Sequence, residues 1–216
     1  MRSSRVTVGF GFLITWVVMA VVGWTARRLL LSFFDVAVIS QYYMASFLGN
    51  GLLIGFLQWL VLWRYLGVRG LGGLATGIVW MGISGIGWVM AWAFNILFPT
   101  LYVLAAESGY SLFSISLLAG GGSALLVGLL QSGILKKYLG HSWPWVPIFM
   151  LSMVAAMFTL QSIPIQYPTV ASALGGLVFG LISGLGMMML LRATQEDFGL
   201  PEVHAAKAKH GSPDFR

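Results

Sequence analysis

The twenty residues from Met44 to Trp63, MASFLGNGLLIGFLQWLVLW, contain no Asp, Glu, Lys, Arg or His and stop at Arg64. Wound as an α-helix at about 1.5 Å per residue, they span about 30 Å, the thickness of a bilayer's hydrocarbon core. In that setting a backbone amide left unpaired costs several kcal/mol, so a helix, which pairs its own amides, is the expected form. Five further stretches read the same way: Val6 to Ala26, Leu71 to Ala93, Leu112 to Leu135, Val146 to Ile163, and Thr169 to Leu191. The fifth of the six is the shortest, bounded by Trp143-Pro144-Trp145 and by Pro164.

The rest of the chain agrees. Of its 216 residues, 58% are hydrophobic and 8% charged, and the mean hydropathy is +0.89. A soluble domain carries about 25% charged residues, because its surface must be hydrated. The expected fold is therefore all-α: a polytopic membrane protein of six transmembrane helices over residues 1–192. Residues 193–216, polar and containing Gly and Pro, read as a short disordered cytoplasmic tail. Leu29 to Ser40 and Leu97 to Ala106 are too short to span and read as interfacial or re-entrant pieces. Arg2 and Arg5 before an apolar run resemble the start of a signal peptide, but the run is too long for one, so a retained helix is expected.

Orientation follows from the placement of Lys and Arg. One side holds Arg2, Arg5, Arg64, Arg69, Lys136, Lys137, Arg192, Lys207, Lys209 and Arg216; the other holds Arg27 and Arg28. This predicts both termini in the cytoplasm. The net charge of +6 is then a loop-charge effect, and no nucleic-acid partner is expected because no soluble domain carries a basic stripe.

The second and fourth helices resemble one another. Gly55-Phe56-Leu57-Gln58, with Tyr65-Leu66-Gly67 beyond it, recurs as Gly128-Leu129-Leu130-Gln131 with Tyr138-Leu139-Gly140, at an offset of 73 residues. Gly180-Leu181-Ile182-Ser183 is a fainter third copy. Trp16, Gly23 and Trp24 match Trp80, Gly87 and Trp88 at an offset of 64, while the fifth helix offers no clear match. The unit is a helical hairpin, present two or three times (about 6–67, 71–140 and 144–192) and running parallel in the membrane. Inverted repeats, the mark of many ion-coupled transporters, are not the pattern here.

Small residues four apart line one face of each even helix: Gly51 and Gly55; Gly120, Ala124 and Gly128; Gly176, Gly180 and Gly184. Such faces let two backbones approach closely, and the expectation is helix packing, with a glycine-lined path as the alternative. Gln58 and Gln131 occupy equivalent positions about one and a half turns inside the membrane. Each is read as an interhelical hydrogen bond, or else as the polar lining of a solute path. Trp16, Trp59 and Trp80 sit deep, where an indole N–H needs an acceptor. Trp24, Trp88 and Trp92 read as an outer aromatic belt, and Trp63, Trp143 and Trp145 as an inner one.

The chemistry on offer is thin. There is no cysteine, so thiolate chemistry and thiolate metal sites are excluded. No ionisable side chain falls inside a span core, which removes proton relays. His141, His204 and His210 all lie toward the cytoplasmic side, away from where haem ligands would stand. Gly82-Ile83-Ser84-Gly85 resembles the serine motif of rhomboid proteases, but it stands on the third helix with no histidine base within reach. Asp35, Tyr42, Tyr43, Glu107 and Tyr110 in the outer loops are too few to specify a reaction. No enzyme, metal or cofactor is expected, although bound lipid or pigment fits these faces.

The stretch Gln58-Trp59-Leu60-Val61-Leu62-Trp63-Arg64, followed by a Gly-rich helix, resembles a loose group of uncharacterised bacterial multi-span membrane proteins that carry a repeated Gln-Trp-Leu-Val-Leu-x-Arg helix end. The second copy here departs from it at Gln131-Ser132 and Lys136-Lys137. The resemblance implies a bacterial inner membrane, or one derived from it, and no activity. In helix number and length the chain is also similar to the substrate-binding components of vitamin transporters, without their motifs. The expected role is a non-catalytic accessory subunit that packs against partner proteins, lipids or pigments in a larger complex, photosynthetic or respiratory. The alternative is a small channel or carrier for a neutral or lipophilic solute.

Overall fold

The computed structural model describes residues 8–31, 43–66, 71–107, 112–164 and 166–209. Six helices follow in chain order: α1 (Phe10–Leu31), α2 (Tyr43–Leu66), α3 (Leu71–Glu107), α4 (Leu112–Leu139), α5 (Trp145–Ser162) and α6 (Pro168–Lys209). No strand occurs among the described residues. Four of the helices are long and apolar enough to cross a membrane, over Ala45–Leu66, Gly72–Ala91, Trp145–Ser162 and Pro168–Thr194; the apolar part of α1, Phe10–Ala26, is shorter.

Local chemistry sets several of the ends. Gly140 takes a φ of +68°, open to a residue without Cβ, and its amide donates to the Lys136 carbonyl at 3.1 Å, closing the last turn of α4. Pro144 already stands in helical geometry just before α5. At the other end Ile163 is extended, as the residue before Pro164 must tend to be.

Two segments differ from their sequence reading. Residues 97–106 continue α3 instead of forming a separate interfacial piece; Pro99 removes one rung of the ladder without ending the helix. Residues 193–209 continue α6 where a disordered tail was expected, since Ala, Glu and Lys there are good helix formers even among Gly199 and Pro201. Of the expected interfacial piece Leu29 to Ser40, the first three residues complete α1, and 32–40 lie outside the described residues.

Each helix packs chiefly on its two neighbours in sequence, and α6 returns to α1, forming the most extensive pair of all. The bundle is thus a closed ring of six. Large apolar side chains cover its outside, among them Val18, Val22, Leu74, Ile78, Ile86, Leu151, Phe158 and Met189, all exposed. Polar side chains are turned inward: Asn50, Gln58, Ser84, Ser123, Gln131 and Ser183 are buried. An exterior so rich in large apolar side chains suits a lipid environment.

Candidate functional site: the axial tryptophan layer

The ring axis is filled by three tryptophans, one from each odd helix. Trp16, Trp80 and Trp145 are at most 1% exposed. The Trp145 ring centroid stands 6.3 Å from that of Trp16, edge-on, and 6.5 Å from that of Trp80. Each indole N–H donates to a polar side chain on an even helix. Trp80 donates to Gln58 Oε1 at 3.4 Å, Trp145 to Gln131 Oε1 at 3.0 Å, and Trp16 to Ser183 Oγ at 3.0 Å. In every case the acceptor lies on the preceding helix of the ring, with α6 preceding α1.

Gln131 has no exposed surface and uses both ends of its amide, since its Nε2 also donates to Ser84 Oγ at 3.2 Å. Ser84 in turn donates to the Trp80 carbonyl at 2.9 Å. The serine of the protease-like tetrapeptide is therefore part of an interhelical network. Ser183 donates to the Phe179 carbonyl at 2.6 Å while accepting from Trp16. Next to this layer, Leu62, Leu135 and Met187 are completely buried.

The small-residue faces meet the following odd helix in matching ways. A methyl placed on Gly55 would lie 2.8 Å from Ser84 Cβ and 2.9 Å from Met81 Cα; on Gly180, 3.0 Å from Ala20 Cβ and 2.9 Å from Val17 Cα. On Gly128 it would lie 3.6 Å from Phe149 Cβ and 3.3 Å from Val146 Cα. Gly51 and Gly176 repeat this one turn away, each against a carbonyl oxygen, an α-carbon and a tryptophan: Ser84, Gly85 and Trp88 for the first, Ala20, Val21 and Trp24 for the second. Gly184 abuts Trp16 and Leu13, and Ala124 is fully buried. Gly120 is looser, with Met157 Cγ at 3.4 Å as its nearest neighbour.

Where packing differs, the sizes compensate. Trp59 of α2 presses on Gly77 of α3, whereas Gly184 of α6 receives Leu13 of α1. Between them in the series, Ser132 of α4 and Ser142, just before α5, exchange hydroxyl and carbonyl hydrogen bonds at 2.8 to 3.1 Å.

Two tryptophans stand where their sequence reading did not put them. Trp145 was expected in the inner belt and Trp24 in the outer one, yet both are core, at 0% and 4% exposure. A signal existed for Trp145: it follows Trp80 by 65 residues, as Trp80 follows Trp16 by 64. Its place between Pro144 and Pro147 obscured that spacing. Trp143, at 65% exposure, and Trp63, at 41%, do face outward. The side chains of Arg27, Arg28, Asp35, Tyr42, Tyr43, Trp92, Glu107, Tyr110, His204 and His210 lie outside the described residues.

Beyond the tryptophan layer, in the direction of the α1–α2 and α3–α4 connections, lies a cavity of about 20 Å³ to which all six helices contribute. Its walls include Trp24, Trp88 and Met153 from the odd helices and Ile54, Val127 and Phe179 from the even ones. Among the described residues no group of three or more His, Cys, Asp or Glu could hold a metal ion. Comparison with family models, with curated proteins and with solved structures yields no match to this chain.

Proposed function

We propose that this chain is a non-catalytic integral-membrane subunit, a closed six-span bundle whose outer surface packs against partner proteins, lipids or pigments in a larger assembly. The carrying observation is the plugged axis. Trp16, Trp80 and Trp145 close it, and Gln131, the best candidate for lining a path, is consumed by hydrogen bonds at 3.0 and 3.2 Å. A continuous apolar exterior leaves association as the remaining outlet for specificity. The setting is a bacterial inner membrane, as the resemblance at Gln58 to Arg64 implies, and both termini are placed in the cytoplasm, supported by the ten-to-two placement of Lys and Arg.

The architecture proposed with it is three parallel hairpins about an axis along the membrane normal. Its support is the recurrence of contacts at matching positions: Gly55 on Met81 and Ser84, Gly128 on Val146 and Phe149, Gly180 on Val17 and Ala20. The three indole bonds follow the same rotation. On this reading the fifth helix does carry a copy, with Trp145 in the role of Trp16 and Trp80.

Gentle extraction from native membranes, followed by native mass spectrometry, tests the role. Stoichiometric recovery with other membrane subunits is expected; recovery only as a free monomer overturns it. The channel or carrier reading draws on the axial cavity, and liposome flux separates it. Solute flux that depends on the protein, and falls in the Gln58→Leu, Gln131→Leu double variant, would favour that reading.

A further inference from the structure

Gln58 and Trp24 carry the two buried N–H groups that find no hydrogen-bond partner among the described residues: the Gln58 Nε2 amide and the Trp24 indole Nε1. Both residues are more than nine-tenths buried, at 3% and 4% exposure, and both line the same axial cavity. Gln58 Oε1 already accepts from Trp80, so the free end of that amide is a donor. Two residues on different helices, each with an unpartnered donor, thus line one space, and a buried donor without an acceptor is costly. Ser123 also lines the cavity, and its hydroxyl donates to the Gly120 carbonyl at 3.0 Å, leaving its oxygen lone pairs able to accept.

The cavity's size selects the ligand. About 20 Å³ accommodates one water, which needs about 10–15 Å³ by the same measure and two to four polar partners. Cavities that stay dry are lined by apolar groups alone, and this one is not. We propose that the axial cavity is a binding site for a single internal water, which accepts from Trp24 Nε1 and Gln58 Nε2 and donates toward Ser123. The water joins α1 to α2, the least extensive neighbour pair of the ring. It makes the axis wet on one side of the tryptophan layer and dry at it. The proposal stands whether the chain is an assembly subunit or a carrier.

The test uses the full chain in lipid nanodiscs with ¹⁵N-labelled tryptophan. The Trp24 indole resonance is assigned by its loss in Trp24→Phe, and its proton is examined for magnetisation transfer from water. A cross-peak of the sign given by a long-lived bound water is expected at Trp24, and its loss is expected in Gln58→Leu with the other indole resonances in place. Absence of the cross-peak in the unmodified protein overturns the site, as does a cross-peak that keeps full intensity in Gln58→Leu. Xenon is the control for a dry cavity: a xenon-induced shift confined to the Trp24 indole also overturns the proposal. Should Gln58→Leu not fold, the presence or absence of the assigned Trp24 cross-peak in the unmodified chain still decides the matter.

Discussion

Trp145 donates its indole N–H to Oε1 of Gln131 at 3.0 Å, and through the other end of that amide α5 is tied to α3 as well as α4. Gln58, the corresponding residue of α2, makes a single longer bond among the described residues, 3.4 Å to Trp80, and its Nε2 has no protein acceptor among them. Equivalent positions in sequence therefore carry unequal mechanical weight.

Gln131→Leu strands the Trp145 donor and removes the link to Ser84, and is expected to cost about 1–2 kcal/mol. Gln58→Leu is expected to cost less than about 1 kcal/mol, within the usual range for an interhelical bond in a membrane. Reversible unfolding in mixed micelles, with both variants side by side, measures the difference. Equal losses would contradict the unequal bonding.

The third indole bond offers a cleaner cycle. Ser183→Ala leaves the Trp16 N–H without its acceptor and should destabilise by about 1 kcal/mol. Combining it with Trp16→Phe removes donor and acceptor together, so the double variant should lose less than the two single losses added. Strict additivity would show that the 3.0 Å bond contributes nothing measurable.

The glycine faces separate by contact. Gly180→Ala places a methyl 2.9 Å from the Val17 backbone, and Gly51→Ala places one 2.6 Å from the Ser84 carbonyl oxygen. Both should lower the melting temperature, because backbone atoms yield only if whole helices move apart. Gly120→Ala meets nothing closer than 3.4 Å. It should be neutral or stabilising by up to about 1 kcal/mol, since alanine is the better helix former. Thermal melts of the three variants test the order.

Closure of the ring predicts tolerance to circular permutation by whole hairpins. A chain opened between α2 and α3, with a flexible linker joining the end of α6 to the start of α1, keeps every helix pair that packs in the native bundle. It should fold and retain the buried tryptophan emission, in the same helix orientation. The Arg192 Nε to Val8 carbonyl bond at 3.0 Å lies at that junction, so Arg192→Leu should weaken the permutant no less than the native chain.

Much of this was legible from the residues alone. Uncharged stretches such as Met44 to Trp63 dictate apolar helices, because lipid leaves an unpaired backbone no acceptor. The glycine spacing on α2 and α6 marks close helix approach, and the deep Trp16 and Trp80 call for acceptors. The sequence also made Gln58 and Gln131 look interchangeable, and placed Trp145 and Trp24 at the interfaces. Those readings failed because a linear pattern reports depth along a helix axis and says little about rotation around it.

What the sequence by itself determined is the solvent: so few charges over so many apolar residues admit only helices that pair their own backbones. Only the tertiary structure decided what occupies the middle. Trp145 becomes core instead of belt because α5 is turned so that its indole meets Gln131. Gly184 becomes a seat for Trp16 because α6 closes against α1. Both depend on which faces of distant helices meet, a matter of side-chain volume and hydrogen-bond direction around a ring.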